Sequence, residues 1–126
     1  MIQGFEEQTF ELTKIEIGYA RTLAKALILQ YNSAKGVFIN NKKIADIIYK
    51  IEGERPSPAR IRKIIQWLRI NQHPTGYVIV SSSKGYKLSS DKQEIEQLID
   101  SLNARANAIR NVAYNCSRAL ISIANG

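Results

Sequence analysis

Residues 57–71 carry the densest set of groups in this chain that could recognise a polyanion. Along Ser57-Pro58-Ala59-Arg60-Ile61-Arg62-Lys63-Ile64-Ile65-Gln66-Trp67-Leu68-Arg69-Ile70-Asn71 the apolar residues recur at three and four spacing, the pattern of a helix with one face in a core. With Ile61, Ile64, Ile65 and Leu68 inward, the opposite face shows Ala59, Lys63, Gln66 and Ile70, flanked by Arg60 and Arg62. Cationic side chains pair with guanine O6 and N7, glutamine bridges adenine N6 and N7, and a small apolar side chain fits a thymine methyl. The chemistry on offer is hydrogen-bonded readout of base edges rather than bond-making. Arg60, Arg62 and Lys63 fall in the N-terminal half of the helix, the half that meets bases when a helix docks in a major groove. Arg69 lies beyond it and is expected at phosphate or in solvent. Trp67, at the edge of the wheel, is expected to pack under the hairpin or the first helix.

The distribution of charge supports the same reading. The net charge is +7, yet residues 1–31 sum to −1 and residues 90–126 to zero. Residues 32–89 hold eleven Lys and Arg against only Asp46, Glu52 and Glu54, an excess of +8. Basic charge confined to one segment is the footprint of a polyanion-binding surface, or else a solvated basic face. Further candidates for DNA contact are Lys84 at the tip of a Ser/Lys/Gly turn, Lys87 after it, and Lys42 and Lys43 at a helix start. Free backbone amides at a helix start already favour phosphate, and a solvated terminus is the alternative for that lysine pair. Ser57 and Ser83 add hydroxyl groups at the helix start and in the hairpin turn.

The elements that must hold these groups follow from spacing and turn chemistry. Residues 1–12 read as a lead-in without periodicity. Thr13-Lys14-Ile15-Glu16 fits a capping box, and a helix to about Tyr31 places Ile15, Tyr19, Ala20, Leu23, Ala24, Leu27 and Tyr31 on one stripe. Val37-Phe38-Ile39 reads as a short strand. Asn40-Asn41 offers caps for a helix over Lys42–Ile51, with Ile44, Ala45, Ile47, Ile48 and Ile51 inward. Gly53-Glu54-Arg55-Pro56 ends it, and Ser57-Pro58 restarts the chain as N-cap and N1. Tyr77–Val80 and Tyr86–Leu88 are β-rich runs around Ser81-Ser82-Ser83-Lys84-Gly85, a hairpin signal. Ser89 or Ser90 then caps a helix reaching about Ala124.

Two helices joined by a short turn and followed by a hairpin make the plan of a winged helix-turn-helix. The fold class expected is mainly α with a small β-hairpin wing (α+β), followed by a long C-terminal helix. The expected division is 1–12 lead-in, 13–89 winged domain and 90–126 helix for oligomerisation. The segment Gly76–Leu88, with Lys84-Gly85-Tyr86-Lys87-Leu88, and then Glu94-Ile95-Glu96 through Ser101-Leu102-Asn103-Ala104-Arg105-Ala106, resembles small bacteriophage and prophage winged helix-turn-helix proteins. In that group a Lys-Gly-Tyr hairpin leads into a helix bearing Leu-x-x-Arg-Ala. The resemblance spans roughly Val37–Ile109. It implies a phage-type DNA-binding protein, a regulator of transcription or a replication accessory.

Chemistry of other kinds is sparse. His73 sits alone in a predicted turn, so neither a metal site nor any cofactor is expected. Cys116 is expected as a buried thiol on an apolar seam. Neither the Walker nor the dinucleotide glycine spacing occurs, and a non-enzyme is expected. Apolar runs are far shorter than a bilayer span and Met1–Glu7 lacks the apolar core of a signal peptide, so a cytoplasmic protein of a bacterial or phage-infected cell is expected.

In the last helix Ile95, Leu102, Ile109, Cys116 and Ile123 recur every seven residues. Leu98, Val112 and Ala119 lie between them, and Arg105 interrupts. Ile99, Ala106, Ala113 and Leu120 widen the stripe. A homodimer through Leu102, Ile109, Val112, Cys116, Leu120 and Ile123 is expected, in a bundle that draws on the first helix rather than an ideal two-stranded coil. The leading expectation is a dimeric, sequence-specific binder of double-stranded DNA. The alternatives are a DNA-recognition subunit of a packaging or origin complex, and a winged-helix protein-interaction module.

Overall fold

The computed structural model describes residues 11–126, so most of the expected lead-in lies outside the described residues. These residues form a mainly helical α+β chain of four helices and one two-stranded antiparallel hairpin. In order they are α1 (Lys14–Ser33), α2 (Asn41–Glu52), α3 (Pro58–Ile70), β1 (Val78–Ser82), β2 (Gly85–Ser89) and α4 (Lys92–Asn125). Contacts divide the chain at Asp91, with Lys92–Gly126 as a second unit. Among the described residues no helix is long and apolar enough to cross a membrane.

Each helix of the first unit begins where a side chain can satisfy its free amides. At α1 the Thr13 Oγ1 accepts from the Glu16 amide at 3.2 Å, and a Glu16 carboxylate oxygen accepts from the Thr13 amide at 3.0 Å. Asn40 Oδ1 accepts from the Lys43 amide at 2.8 Å, and Ser57 Oγ from the Arg60 amide at 3.2 Å. α2 stops at Gly53, whose φ of 84° is open to glycine and strained for other residues.

The core joins Tyr19, Leu23 and Leu27 of α1 to Ile44 and Ile48 of α2, to Ile61, Ile64, Ile65 and Leu68 of α3, and to Ile39, Ile79 and Leu88. Trp67 is half-buried and packs against this cluster, as its place on the wheel predicts. Two residues expected inside are outside: Ile15 and Ile51 are each more than half exposed. Glu16, not Ile15, takes the buried position at the start of α1, because its carboxylate has partners on α3. Ile51 lies in the last turn of α2, one turn past the buried Ile48 and beside the exposed Gly53 corner.

The expected strand at Val37–Ile39 shrinks to one bridge. Ile39 and Tyr86 exchange backbone hydrogen bonds of 2.8 and 2.9 Å, and the next residue, Asn40, already turns into α2. The hairpin is longer than its apolar runs suggest. Ser81 pairs with Tyr86 and Ser82 with Gly85, leaving Ser83-Lys84 as a two-residue loop, the length that suits strand twist.

Candidate nucleic-acid interface

Gly85 fixes the hairpin tip beside the start of α2. Its φ is 121°, and a Cβ added there would overlap the Ile39 carbonyl and lie 2.7 Å from the Asn40 Cα. Only glycine permits this approach. The approach sets the Ser83-Lys84 loop next to the first turn of α2, which carries Lys42 and Lys43. All three lysines are exposed, and their side chains make no ion pair or hydrogen bond among the described residues. Ser83 is exposed as well. Lys87 is occupied, its Nζ standing 4.9 Å from the centre of the Phe38 ring.

A second tie fixes α3 to the hairpin. Arg69, expected at phosphate or in solvent, donates from Nε to the Ile79 carbonyl at 2.9 Å and from Nη2 to Ser81 Oγ at 3.3 Å. It is thereby a strut between α3 and β1. Its spacing gave no sign of this, because the acceptor is a backbone carbonyl ten residues on.

The exposed face of α3 divides in two. On one flank, Arg60 Nε donates to Glu16 Oε2 at 3.0 Å and Lys63 Nζ to Glu16 Oε1 at 3.1 Å. Arg60 Nη1 also reaches Glu54 at 3.2 Å, and its guanidinium stands 5.4 Å from the centre of the Tyr19 ring. Tyr19 donates its hydroxyl to Glu54 at 2.8 Å, and Thr22 donates to Glu52 at 3.0 Å. The cluster is satisfied throughout, since no buried side-chain polar atom among the described residues lacks a partner.

The electrostatics follow from this geometry. Burial raises the Glu16 carboxyl, but the Thr13 amide and the two cations outweigh it and hold the group at about 2. Burial, reinforced by the hydrogen bond to Glu54, pushes the Tyr19 phenol above its ordinary range. The hydrogen bond to Glu16 raises Arg60 further, so it stays charged. Arg60 and Lys63, both expected to read bases, are thus committed to a carboxylate that is 4% exposed. Taking either away would leave a buried charge short of a partner. The sequence marks only half of this: Glu16 stands within the apolar stripe of α1, but nothing in the spacing points to its partners on α3.

The other side of α3 is open. Ala59 and Arg62 are exposed, Gln66 is half-buried, and Ile70 is 61% exposed. Arg62 makes no ion pair or hydrogen bond among the described residues. Ser57 keeps its exposed place at the helix start, where its oxygen is used as the cap. Three sets of expected contacts therefore sit on elements braced to one another: Lys42 and Lys43 on α2, Ala59, Arg62 and Gln66 on α3, and Ser83 and Lys84 on the hairpin.

The described residues contain no cluster of three His, Cys, Asp or Glu able to hold a metal. Cys116 is exposed rather than buried, because the seam it belongs to is itself bare. Compared with known proteins, the chain matches no family model, no curated protein and no solved structure.

Proposed function

We propose that the first unit is a winged helix-turn-helix that binds double-stranded DNA with sequence preference and without catalysis. α3 is the helix that enters the major groove, and the β1–β2 hairpin is the wing. Arg62 pairs with guanine, Gln66 with adenine, and Ala59 lies against a thymine methyl, roles their chemistry allows. Lys42 and Lys43 grip phosphate at the amide-rich start of α2, and Lys84 grips it from the wing tip. Arg60 and Lys63 do not read bases; they hold α3 against α1. Lys87 contributes positive field beside the Phe38 ring.

The observation that carries this reading is the division of the basic residues. Those that brace the fold are paired or stacked, while Arg62, Lys42, Lys43 and Lys84 are exposed and unpaired among the described residues. Exposed cations without a counter-charge are common on protein surfaces; what supports a polyanion here is that these four stand on α2, α3 and the hairpin, elements tied to one another, within the segment that carries the +8 excess. The Lys84-Gly85-Tyr86 turn adds the resemblance to phage-type regulators and replication accessories.

Selection from a random duplex library at about 150 mM salt, where unspecific contacts are already weakened, tests the reading. An enriched motif is expected. Equal retention of all sequences would contradict base readout by α3.

A further inference from the structure

We propose that α4 pairs with α4 of a second copy of this chain, antiparallel, about a two-fold axis between Ile109 and Val112. The pairing does not depend on the DNA reading. From Asn103 onward every residue of the helix is exposed, with Ile109 at 70%, Val112 at 63%, Leu120 at 67% and Ile123 at 76%. Most helical stability in proteins comes from packing an amphipathic face, and a contiguous apolar stripe of this size marks an interface. The seven-residue recurrence of Leu102, Ile109, Cys116 and Ile123 specifies another helix as the occupant. The first helix is not available for that role. Its stripe of Tyr19, Ala20, Leu23, Ala24 and Leu27 is already buried in the core of the first unit.

Direction follows from size and charge. A parallel pair would set Arg105 against the partner's Arg105, and Cys116 against the partner's Cys116, in seam layers. In the antiparallel register Ile109 meets the partner's Val112, Leu102 meets the partner's Ala119, and Arg105 meets the partner's Cys116. Each long side chain then faces a shorter one, and the guanidinium can reach water past the small thiol. Residues 92–102 carry Glu94, Glu96 and Asp100 against Lys92 alone, whereas residues 103–126 carry Arg105, Arg110 and Arg118 and no acid. In this register Arg118 faces the partner's Asn103, within one turn of the partner's Asp100, and the helix dipoles oppose. Four large apolar side chains from each helix, at roughly 100 Å² apiece, supply about 800 Å² of apolar burial, about two-thirds of the lower bound for a stable interface, and the polar flanks of the two helices must bury the rest.

Sedimentation of the full chain should show a dimer up to about 100 µM, a concentration that reveals micromolar affinities. Under oxidising conditions the wild type should form no Cys116 cross-link, because the two thiols stand about 16 Å apart along the axis, too far for a disulfide. Arg105→Cys should instead give a covalent dimer whose linked peptide joins position 105 of one chain to Cys116 of the other. A monomer throughout, a wild-type Cys116-to-Cys116 link, or a 105-to-105 link would overturn the proposal.

Discussion

The two sides of α3 hold similar residues in opposite states. On one side Arg60 and Lys63 converge on the buried Glu16, drawn in by a carboxylate that needs two donors. On the other Arg62, two residues from Arg60 and next to Lys63, has no counter-charge among the described residues. A basic helix is therefore not a uniform recognition surface. Part of its charge is spent on attaching it to the rest of the domain, and only the remainder is free for a ligand.

Four changes should separate these roles. Acid should give the largest effect. Glu16 is held at about 2 against an ordinary 4.5, so its contribution is full above that ordinary value and is lost as pH falls towards 2. The loss should be on the order of 3 kcal/mol, read as a falling urea midpoint, and Glu16→Gln should flatten that part of the pH profile. Arg60→Ala should lower stability by roughly 2–3 kcal/mol, the scale of a hydrogen bond to a buried charge. The same variant should leave the pattern of preferred bases unchanged in duplex selection. Arg62→Ala should reverse this, weakening preferred duplexes by about 1–3 kcal/mol while moving stability by no more than about 0.5 kcal/mol. Lys84→Ala should have the smallest effect, weakening all duplexes alike and reducing the salt slope by about 1 in a titration series.

What the sequence revealed and what it concealed divide along the same line. The helices were legible because their signals are local: the Thr13–Glu16 box, Asn40, Ser57-Pro58 and the spacing of the isoleucines each act within one turn. The hairpin was legible in kind but not in length, since Ser81, Ser82 and Gly85 read as turn residues until pairing claims them. Contacts across the chain were not legible. Glu16 lies 44 residues from Arg60 and 47 from Lys63, and no spacing rule links them. The spacing therefore gave no sign that Arg60 and Lys63 share a buried carboxylate or that Arg69 reaches β1, and it placed Ile15 in the core, where Glu16 lies instead. Gly85 could be read as a turn glycine, while its closeness to Ile39 and Asn40 emerges only from the packed fold. Cys116 read as buried because its heptad position implies a partner helix, which a single chain does not provide.

The most direct test compares Arg62→Ala with Lys63→Ala on a selected duplex, measuring affinity for it and for single-base variants alongside urea stability. Arg62→Ala is expected to lose roughly 5- to 150-fold in affinity, the span of about 1–3 kcal/mol, and to relax choice at one base position. Lys63→Ala is expected to lower the urea midpoint and keep every base preference. Lost base preference in Lys63→Ala, with Arg62→Ala binding like the wild type, would overturn this division of roles on α3.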